Sequence, residues 1–236
     1  MFEEILTEGA AELGVPLSAP VCAAMRRYCD LLAERNAVMN LTAIRGEDAS
    51  ARLHFLDCLA LVPMFPFAGA SVIDVGSGAG FPGLPIRLAE STVSLTLLDA
   101  QQKRVGFLNE VCASLELDGV RCLHARAEEA SRDPALRDSF DFAVSRAVAR
   151  LNVLCELCLP FVRPGGAFLA MKSAEAEAEL DEAAGAIAKL GGRAEAVRGY
   201  AIPGEQAVRR VVVIRKLGPT PKAYPRRFAR IQASPL

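Results

Sequence analysis

Val72-Ile73-Asp74-Val75-Gly76-Ser77-Gly78-Ala79-Gly80-Phe81-Pro82-Gly83 is the stretch whose reading decides the fold. Its apolar start reads as a short buried strand. The glycines that follow let the backbone turn tightly and approach a ligand closely. Pro82 suits the first turn of a following helix, where its missing N–H costs nothing. Toward the C-terminus the same alternation continues. Residues 93–98 read as a second strand ending at Asp99, and residues 101–117 as an amphipathic helix with Val105, Leu108, Val111, Cys112 and Leu115 on one face. Strands follow at 120–124 and 140–144, a helix at 151–161, and a strand at 167–171 after the Gly165-Gly166 turn. A strong helix at 175–190 precedes strands at 193–197 and 208–215. Strands alternating with helices imply βαβ units and a mostly parallel sheet. The last two strands have no helix between them and are expected to pair antiparallel.

Toward the N-terminus the period changes. Residues 2–13 and 19–39 show helical spacing, with Leu31, Leu32, Val38 and Met39 on one side and Arg26, Arg27, Asp30 and Glu34 on the other. Asn40-Leu41-Thr42 reads as a break. Asp48 caps a further helix that runs to about Leu61, before Pro63 and Pro66. The expected organisation is a helical N-terminal cap (1–69), a ligand-binding α/β domain (70–217) and a basic C-terminal tail (218–236). With four prolines, the tail reads as a linker-like extension.

At 236 residues and 52% apolar content the chain supplies one good-sized core. No uninterrupted apolar run reaches the roughly 18 residues of a membrane span. The acidic start, Met1-Phe2-Glu3-Glu4, lacks the basic opening of a secretory signal. A cytoplasmic protein is therefore expected. The seven cysteines are odd in number, and most sit in apolar surroundings, which suits reduced thiols. Cys155-x-x-Cys158 reads as two buried helical cysteines or as a redox pair. Zinc would need a second ligand pair, and none is evident, so no metal is expected. From Arg209 onward the chain has eight basic residues and no acid. That asymmetry reads as a patch for a polyanion or as a solvated tail.

The glycine loop admits two ligand classes. Gly78, Gly80 and Gly83 match the G-x-G-x-x-G spacing of dinucleotide sites. That register is late, because the strand has already ended at Gly76. Asp74, Gly76, Gly78 and Gly80 match the Asp-x-Gly-x-Gly-x-Gly pattern of S-adenosylmethionine-dependent methyltransferases. An acid at the strand end favours a sulfonium and an ammonium group and disfavours a pyrophosphate. Asp99 reads as an acceptor for ribose hydroxyls or as a helix N-cap. Ala127-Glu128 follows the third strand, where a loop can line adenine.

A longer set of segments occurs in one order: Asn40-Leu41-Thr42, His54-Phe55-Leu56-Asp57, Asp74 to Pro85, Leu97-Leu98-Asp99 with Lys103-Arg104, Ser145-Arg146-Ala147, Pro164-Gly165-Gly166 with Met171-Lys172, and Thr220 to Arg227. This set resembles the ribosomal RNA small-subunit methyltransferase G family, also called glucose-inhibited division protein B, from about residue 20 to the end. The resemblance implies a Rossmann-like class I methyltransferase fold with a seven-stranded, mostly parallel sheet and an antiparallel last strand. It implies S-adenosyl-L-methionine as cofactor and methylation of N7 of a guanosine in the 530 loop of 16S rRNA. It carries cofactor contacts onto Gly76, Phe81, Ala127, Glu128 and Arg146, to which the loop reading adds Gly78 and Asp99. The implied partner is 16S rRNA or a small-subunit ribosomal particle; a monomer is expected, although the sequence itself does not give the oligomeric state. The tail from Phe228 to Ser234 departs from the family's usual glycine- and lysine-containing ending.

The chemistry agrees with what the sequence lacks. Guanine N7 carries an in-plane lone pair and no proton, so it attacks a sulfonium methyl without an obligatory base. No catalytic base is therefore expected. An Asn/Asp-Pro-Pro-aromatic motif of amino-directed enzymes is absent after the fourth strand, where Ser145-Arg146-Ala147-Val148 stands. A pyrimidine-C5 enzyme needs a cysteine nucleophile. The nearest, Cys155, lies inside a helix. Arg146 reads as a cofactor contact, a packing group or an ion pair. Asn40 and His54 read as walls of a substrate cleft or as satisfied polar groups. Lys172, Arg226 and Arg227 read as contacts to RNA phosphate or as solvated charges. Arg26, Arg27, Arg45, Lys103 and Arg104 complete the expected basic surface. Three other functions share these features: a methyltransferase acting on small molecules or proteins, an NAD-dependent oxidoreductase, and a non-catalytic RNA-binding assembly factor.

Overall fold

The computed structural model describes residues 1–146, 149–173 and 176–236. Its centre is a seven-stranded sheet: β1 (Ser71–Val75), β2 (Ser94–Asp99), β3 (Val120–His124), β4 (Phe140–Arg146), β5 (Val162–Lys172), β6 (Gly192–Tyr200) and β7 (Arg209–Lys216). The strand order is β3-β2-β1-β4-β5-β7-β6. The first five strands pair in parallel, and β7 runs antiparallel to both β5 and β6. The expected antiparallel ending follows from the short connection between β6 and β7, which leaves no room for a crossover helix.

Along β1, β4, β5 and β7 successive residues enter two different cores. Val72, Phe142, Val144, Leu169, Met171, Val211 and Val213 face one side. Ile73, Val75, Ala143, Phe168, Ala170, Val212 and Ile214 face the other. This period of two is the strand pleat itself, and both faces are apolar because both are covered. The first face carries α1 (Phe2–Glu12), α2 (Ala19–Met39), α5 (Gly83–Ala89) and α6 (Gln102–Ser114). The second carries α8 (Leu151–Cys158), α9 (Ala176–Lys189) and α10 (Phe228–Ala233), with the short α7 (Ala127–Ala130) beside them. Cys155 and Cys158 are buried on α8 among apolar side chains, as two helical core thiols.

The helical cap shares its core with the sheet. Phe2, Tyr28 and Phe55 are fully buried in the cluster that also holds Phe142 and Val144. Burying each such ring contributes about 1.5–3 kcal/mol. The cap's third helical stretch is not a plain α-helix. It starts as α3 (Glu47–Ser50), widens into a π-helical turn over Ala51–Leu56 and ends as α4 (Asp57–Leu59). Asn40 ends α2 in the left-handed conformation, φ 49°, which asparagine tolerates better than most residues.

The tail departs from the linker-like reading. It docks on the second face and forms α10, with Ile231 fully buried. Arg137 donates to the Thr220, Pro221 and Tyr224 carbonyls at 2.7, 3.3 and 3.2 Å. Lys216, wholly buried, donates to Asp138, the Leu159 and Val162 carbonyls and Thr220 Oγ1. Proline spacing suggested a loose segment, but long-range cations satisfy the tail's backbone carbonyls instead.

Candidate cofactor and substrate site

Two cavities meet at the carboxyl ends of β1, β2 and β4, the side where open α/β sheets bind ligands. The smaller, about 310 Å³, is walled by Val75, Leu98, Asp99, Ala127, Glu128 and Leu157, among others. The larger, about 870 Å³, is bounded by the loop 76–79, Phe81, Arg146 and residues of the cap. Gly76 and Arg104 belong to both.

The glycine loop is built from its own backbone. Gly76 and Ser77 N–H donate to the Leu98 carbonyl at 2.8 and 3.1 Å, which ties the loop to β2. Gly80 and Phe81 N–H both donate to the Ser77 carbonyl, and Leu84 N–H donates to Gly80. Gly83 N–H donates to Asp74 Oδ2 at 2.8 Å. These groups, with Pro82 having no N–H, are the donors a pyrophosphate would need at a helix N-terminus. All are occupied, and the start of α5 is already capped by a carboxylate. The dinucleotide register is thereby overturned. Gly80, at φ 101°, and Gly83 serve packing, since a Cβ on Gly83 would come within 2.9 Å of Asp74 and Leu97.

Asp74 lies wholly buried beneath this loop and lines neither cavity. Its Oδ1 has no hydrogen-bond partner among the described residues. Burial pushes its carboxyl up to about 7, against the pull of the Gly83 N–H and Arg146. It braces the loop and does not stand in contact with either cavity. Asp99 does. Its Oδ2 accepts the Gly78 N–H at 3.0 Å and its Oδ1 the Gln101 N–H at 2.8 Å, so it is a cavity wall that ties the loop to the approach of α6; the N-cap of that helix is Gln101 and not Asp99. Glu128, buried, is paired with Arg126 at 2.6 Å. Ala127 opens α7 beside it. The smaller cavity thus combines apolar walls with two carboxylates, each paired with an arginine on the same wall, Asp99 with Arg104 and Glu128 with Arg126. The carboxylate oxygens are acceptors that suit the hydroxyls of an adenosine diol.

In the larger cavity Arg146, the last residue of β4, organises the wall. Its Nη1 donates to the Leu53 carbonyl at 2.9 Å and to Asp57 Oδ2 at 2.8 Å, and its Nη2 donates to His54 Nδ1 at 2.9 Å. Asp57 Oδ1 accepts the Tyr200 hydroxyl at 2.9 Å. Three of the five guanidinium N–H groups are therefore committed to the cap, and among the described residues the other two have no partner. The π-helical turn sets this geometry by placing the Leu53 carbonyl and the His54 ring toward β4. Such turns concentrate at functional sites. Ser145 fixes the strand end through its Oγ–Val75 carbonyl bond at 3.0 Å. Ala147 of the triplet lies outside the described residues.

His54 stacks on Phe81 with centroids 4.3 Å apart, and Tyr28 stacks on the same ring at 5.2 Å. With Phe55 edge-on and Arg146 nearby, Phe81 is only 5% exposed. Its ring is a strut between cap and loop, and what it offers the cavity is an edge. His54 accepts from Arg146 on Nδ1, which assigns the proton to Nε2 facing Thr42 Oγ1 at 2.9 Å. Burial, with the neighbouring Arg146 charge, pushes the imidazole down to about 3. It is neutral at physiological pH and a poor base. A histidine that folds neutral gives its full stability above its unfolded pKa of about 6.5 and loses it as pH falls toward 3. From about pH 7.5 to 5, wild type is expected to lose about 2 kcal/mol more unfolding free energy than His54→Gln. Denaturant titrations at the two pH values check this. Asp74 titrates with the opposite slope but equally in both proteins, so it cancels in the difference.

Several expected substrate contacts have other work. Lys172 lines the larger cavity, but its ammonium sits 2.7 Å from Glu179 and donates to the Ala149 carbonyl at 2.6 Å, so it is not a free cation. Arg226 is bound to buried Glu156 through Nε and Nη2, at 2.9 and 2.6 Å, and is a tail anchor. Arg227 is exposed beside it, at the start of α10. Asn40 is an exposed helix terminus, while its neighbours Leu41 and Thr42 reach the cavity wall. Arg26 is engaged by Glu3, Asp30 and Glu47. Asp57, Tyr200 and Asn36 were not among the expected site residues. Asp57 had a signal in the His54-Phe55-Leu56-Asp57 segment. Asn36 clamps Thr42 through both its backbone groups, and neither it nor Tyr200 has any local signature.

The strand order, the glycine loop after β1 and an acid closing β2 define a Rossmann-like class I methyltransferase. Solved structures share this fold. The chain superposes on TrmN from Thermus thermophilus with a TM-score of 0.52 at 22% identity, over 77% of this chain and 53% of that one. It superposes on a SAM-dependent methyltransferase from Aquifex aeolicus with a TM-score of 0.50 at 20% identity, over 69% and 91%. Residues 21–208 match the family model described as rRNA small subunit methyltransferase G. Curated proteins named ribosomal RNA small subunit methyltransferase G are similar throughout. That of Acetivibrio thermocellus is 41% identical over 100% of this chain and 97% of its own. That of Pelotomaculum thermopropionicum is 42% identical over 100% and 99%. The chain belongs to the rRNA small subunit methyltransferase G family.

Among the described residues no three His, Cys, Asp or Glu side chains cluster as a metal site, and no helix is long and apolar enough to cross a membrane.

Proposed function

We propose that this protein transfers the methyl group of S-adenosyl-L-methionine to N7 of a guanosine in the 530 loop of 16S rRNA. It works as a monomer in the cytoplasm, without a metal, on the rRNA or on a small-subunit particle. The cofactor and the rRNA substrate follow from the family; the position and the atom rest on the resemblance read from the motifs.

One observation carries the choice of a lone-pair nucleophile. The groups in the larger cavity's described wall that could take a proton are tied to a cation or held neutral. Asp57 holds Arg146 and Tyr200, and Glu179 holds Lys172 and the Leu151 N–H. His54 is held neutral. Burial and Asp57 push the Tyr200 hydroxyl well above its ordinary range. No cysteine lines this wall. Such a site orients reactants and does not abstract protons, which is what N7 requires.

The smaller cavity fits the adenosyl part, with Gly76, Gly78, Asp99, Ala127 and Glu128 around it. When bound there, S-adenosyl-L-methionine supplies an electrophilic methyl on a sulfonium. Asp99 accepts hydroxyl donors while its Gly78 bond keeps the loop closed. Gly76 and Arg104 stand at the junction between the cavities; Phe81 and Arg146 line the larger one, where the Arg146 donors not used by the cap suit an acceptor such as a carboxylate or guanine O6. The target base enters unstacked, since a paired base cannot reach a pocket at a strand end.

Methyl transfer from labelled cofactor to 16S rRNA fragments and to 30S particles, followed by mapping, tests this reading. The expected product is one N7-methylguanosine within the 530 loop. Label on another base or atom, or none on either substrate, overturns it.

A further inference from the structure

The smaller cavity has one aromatic side chain among its described lining residues, and it comes from the far end of the chain. Phe228, the first residue of α10, faces Ala127, Glu128 and Leu157 across it. The ring is not a loose end. Arg126 lies over it, 4.6 Å from the centroid, while pairing with Glu128 on the cavity rim. The residues on both sides of Phe228 are anchored to buried groups. Glu156, fully buried on α8, accepts both the Arg226 backbone N–H, at 2.7 Å, and its guanidinium. Arg226 also donates to the Ser234 carbonyl at 3.0 Å, closing α10 on itself. Arg132 donates to the Pro225 carbonyl, and Ile231 is inserted into the second core. Phe228 also borders an open cleft lined by Arg126, Arg132, Arg226 and Arg227 together with Glu128 and Glu129. The ring therefore stands between this polar cleft and the cavity read above as the adenosyl site.

We propose that Phe228 is the aromatic wall of the adenine subsite, so that the docked tail, and not the sheet alone, sets the affinity for the adenosyl moiety. This rests on the assignment of the smaller cavity to the cofactor. An adenine ring against an aromatic face gains stacking energy that alanine substitution removes. Arg126 polarises the ring and holds its orientation. The dense anchoring of residues 220–231 then has a purpose: it fixes one side chain against a ligand bound mainly by the opposite strand ends.

Calorimetry on the full chain tests this with three probes: S-adenosylmethionine, 5′-methylthioadenosine and methionine. Phe228→Ala is expected to remain folded, to bind the first two about tenfold more weakly and methionine unchanged, with Phe228→Tyr close to wild type. The chain contains no tryptophan, so Phe228→Trp supplies a single tryptophan at the subsite, excited selectively beyond the tyrosine band. Its emission is expected to quench on addition of 5′-methylthioadenosine and not of methionine. Should wild type bind S-adenosylmethionine and Phe228→Ala bind it equally well, with no quenching in Phe228→Trp, the proposal fails. It fails also if Phe228→Ala weakens only RNA binding. If wild type binds neither adenosyl probe, the cofactor assignment of the cavity fails first.

Discussion

Asp57→Ala is expected to cost the fold about 3–5 kcal/mol and to reduce methyl transfer at least a hundredfold. The carboxylate is 7% exposed and faces a guanidinium that is 16% exposed. Removing it leaves Arg146 charged and buried with only carbonyl and imidazole partners, and leaves the Tyr200 hydroxyl without its acceptor. Uncompensated buried charge is what makes the loss large. The pair by itself contributes much less, because both ions were desolvated to form it. The double variant Asp57→Ala/Arg146→Met is therefore expected to be more stable than Asp57→Ala alone, while remaining inactive. Denaturant unfolding of the two single variants and the double gives the coupling. Additive losses would show that Asp57 acts through packing and not through Arg146.

Asp99→Ala is expected to weaken S-adenosylmethionine binding by more than about a hundredfold. Its carboxylate holds Gly78 of the loop and Gln101 at the start of α6 by charge-assisted bonds, each of about 1.5–3 kcal/mol. It is also the acid nearest the expected ribose hydroxyls, so the variant loses ligand contact and loop closure together. Asp99→Asn keeps one acceptor and is expected to fall between. Calorimetry of both variants checks the order. Equal binding by wild type and Asp99→Ala would mean that the ligand does not occupy the smaller cavity.

The local elements were largely legible because each had a local cause. The change from helical spacing to apolar runs at residue 71 marks β1, and Gly76 marks its end. The boundaries moved where tertiary contacts extended a strand, as in β5, which begins at Val162 rather than Ala167 and absorbs the Gly165-Gly166 turn as an irregularity opposite β4. The third helix was legible as a helix, although Gly46 and not Asp48 stands at its N-cap, but not as a π-turn, since widening there is stabilised by the Arg146 contact to Leu53 from across the fold.

Positive charge was the least reliable guide. Arg26, Lys172 and Arg226 all read as RNA contacts, and all are paired internally. Their partners are Glu47, Glu179 and Glu156, of which Glu156 stands 70 residues away. Charge pairing is set by spatial neighbours, so a run of basic residues does not reveal which of them are free.

By itself the sequence determined the alternating α/β order, the glycine loop with its flanking acids, and through its ordered motifs the family. These rest on backbone conformational preference and periodicity, which act within a few residues. Tertiary structure alone decided what the acids do. Asp74 is buried beneath the loop and occupies the helix start that a pyrophosphate would need, while Asp99 reaches the cavity. It alone joined Asp57, His54 and Tyr200 around Arg146 and brought Phe228, from far along the chain, to the carboxyl ends of β1 and β2. Those relations depend on burial and on contacts across 70 to 150 residues, roughly the scale of a whole domain, where local spacing carries no information.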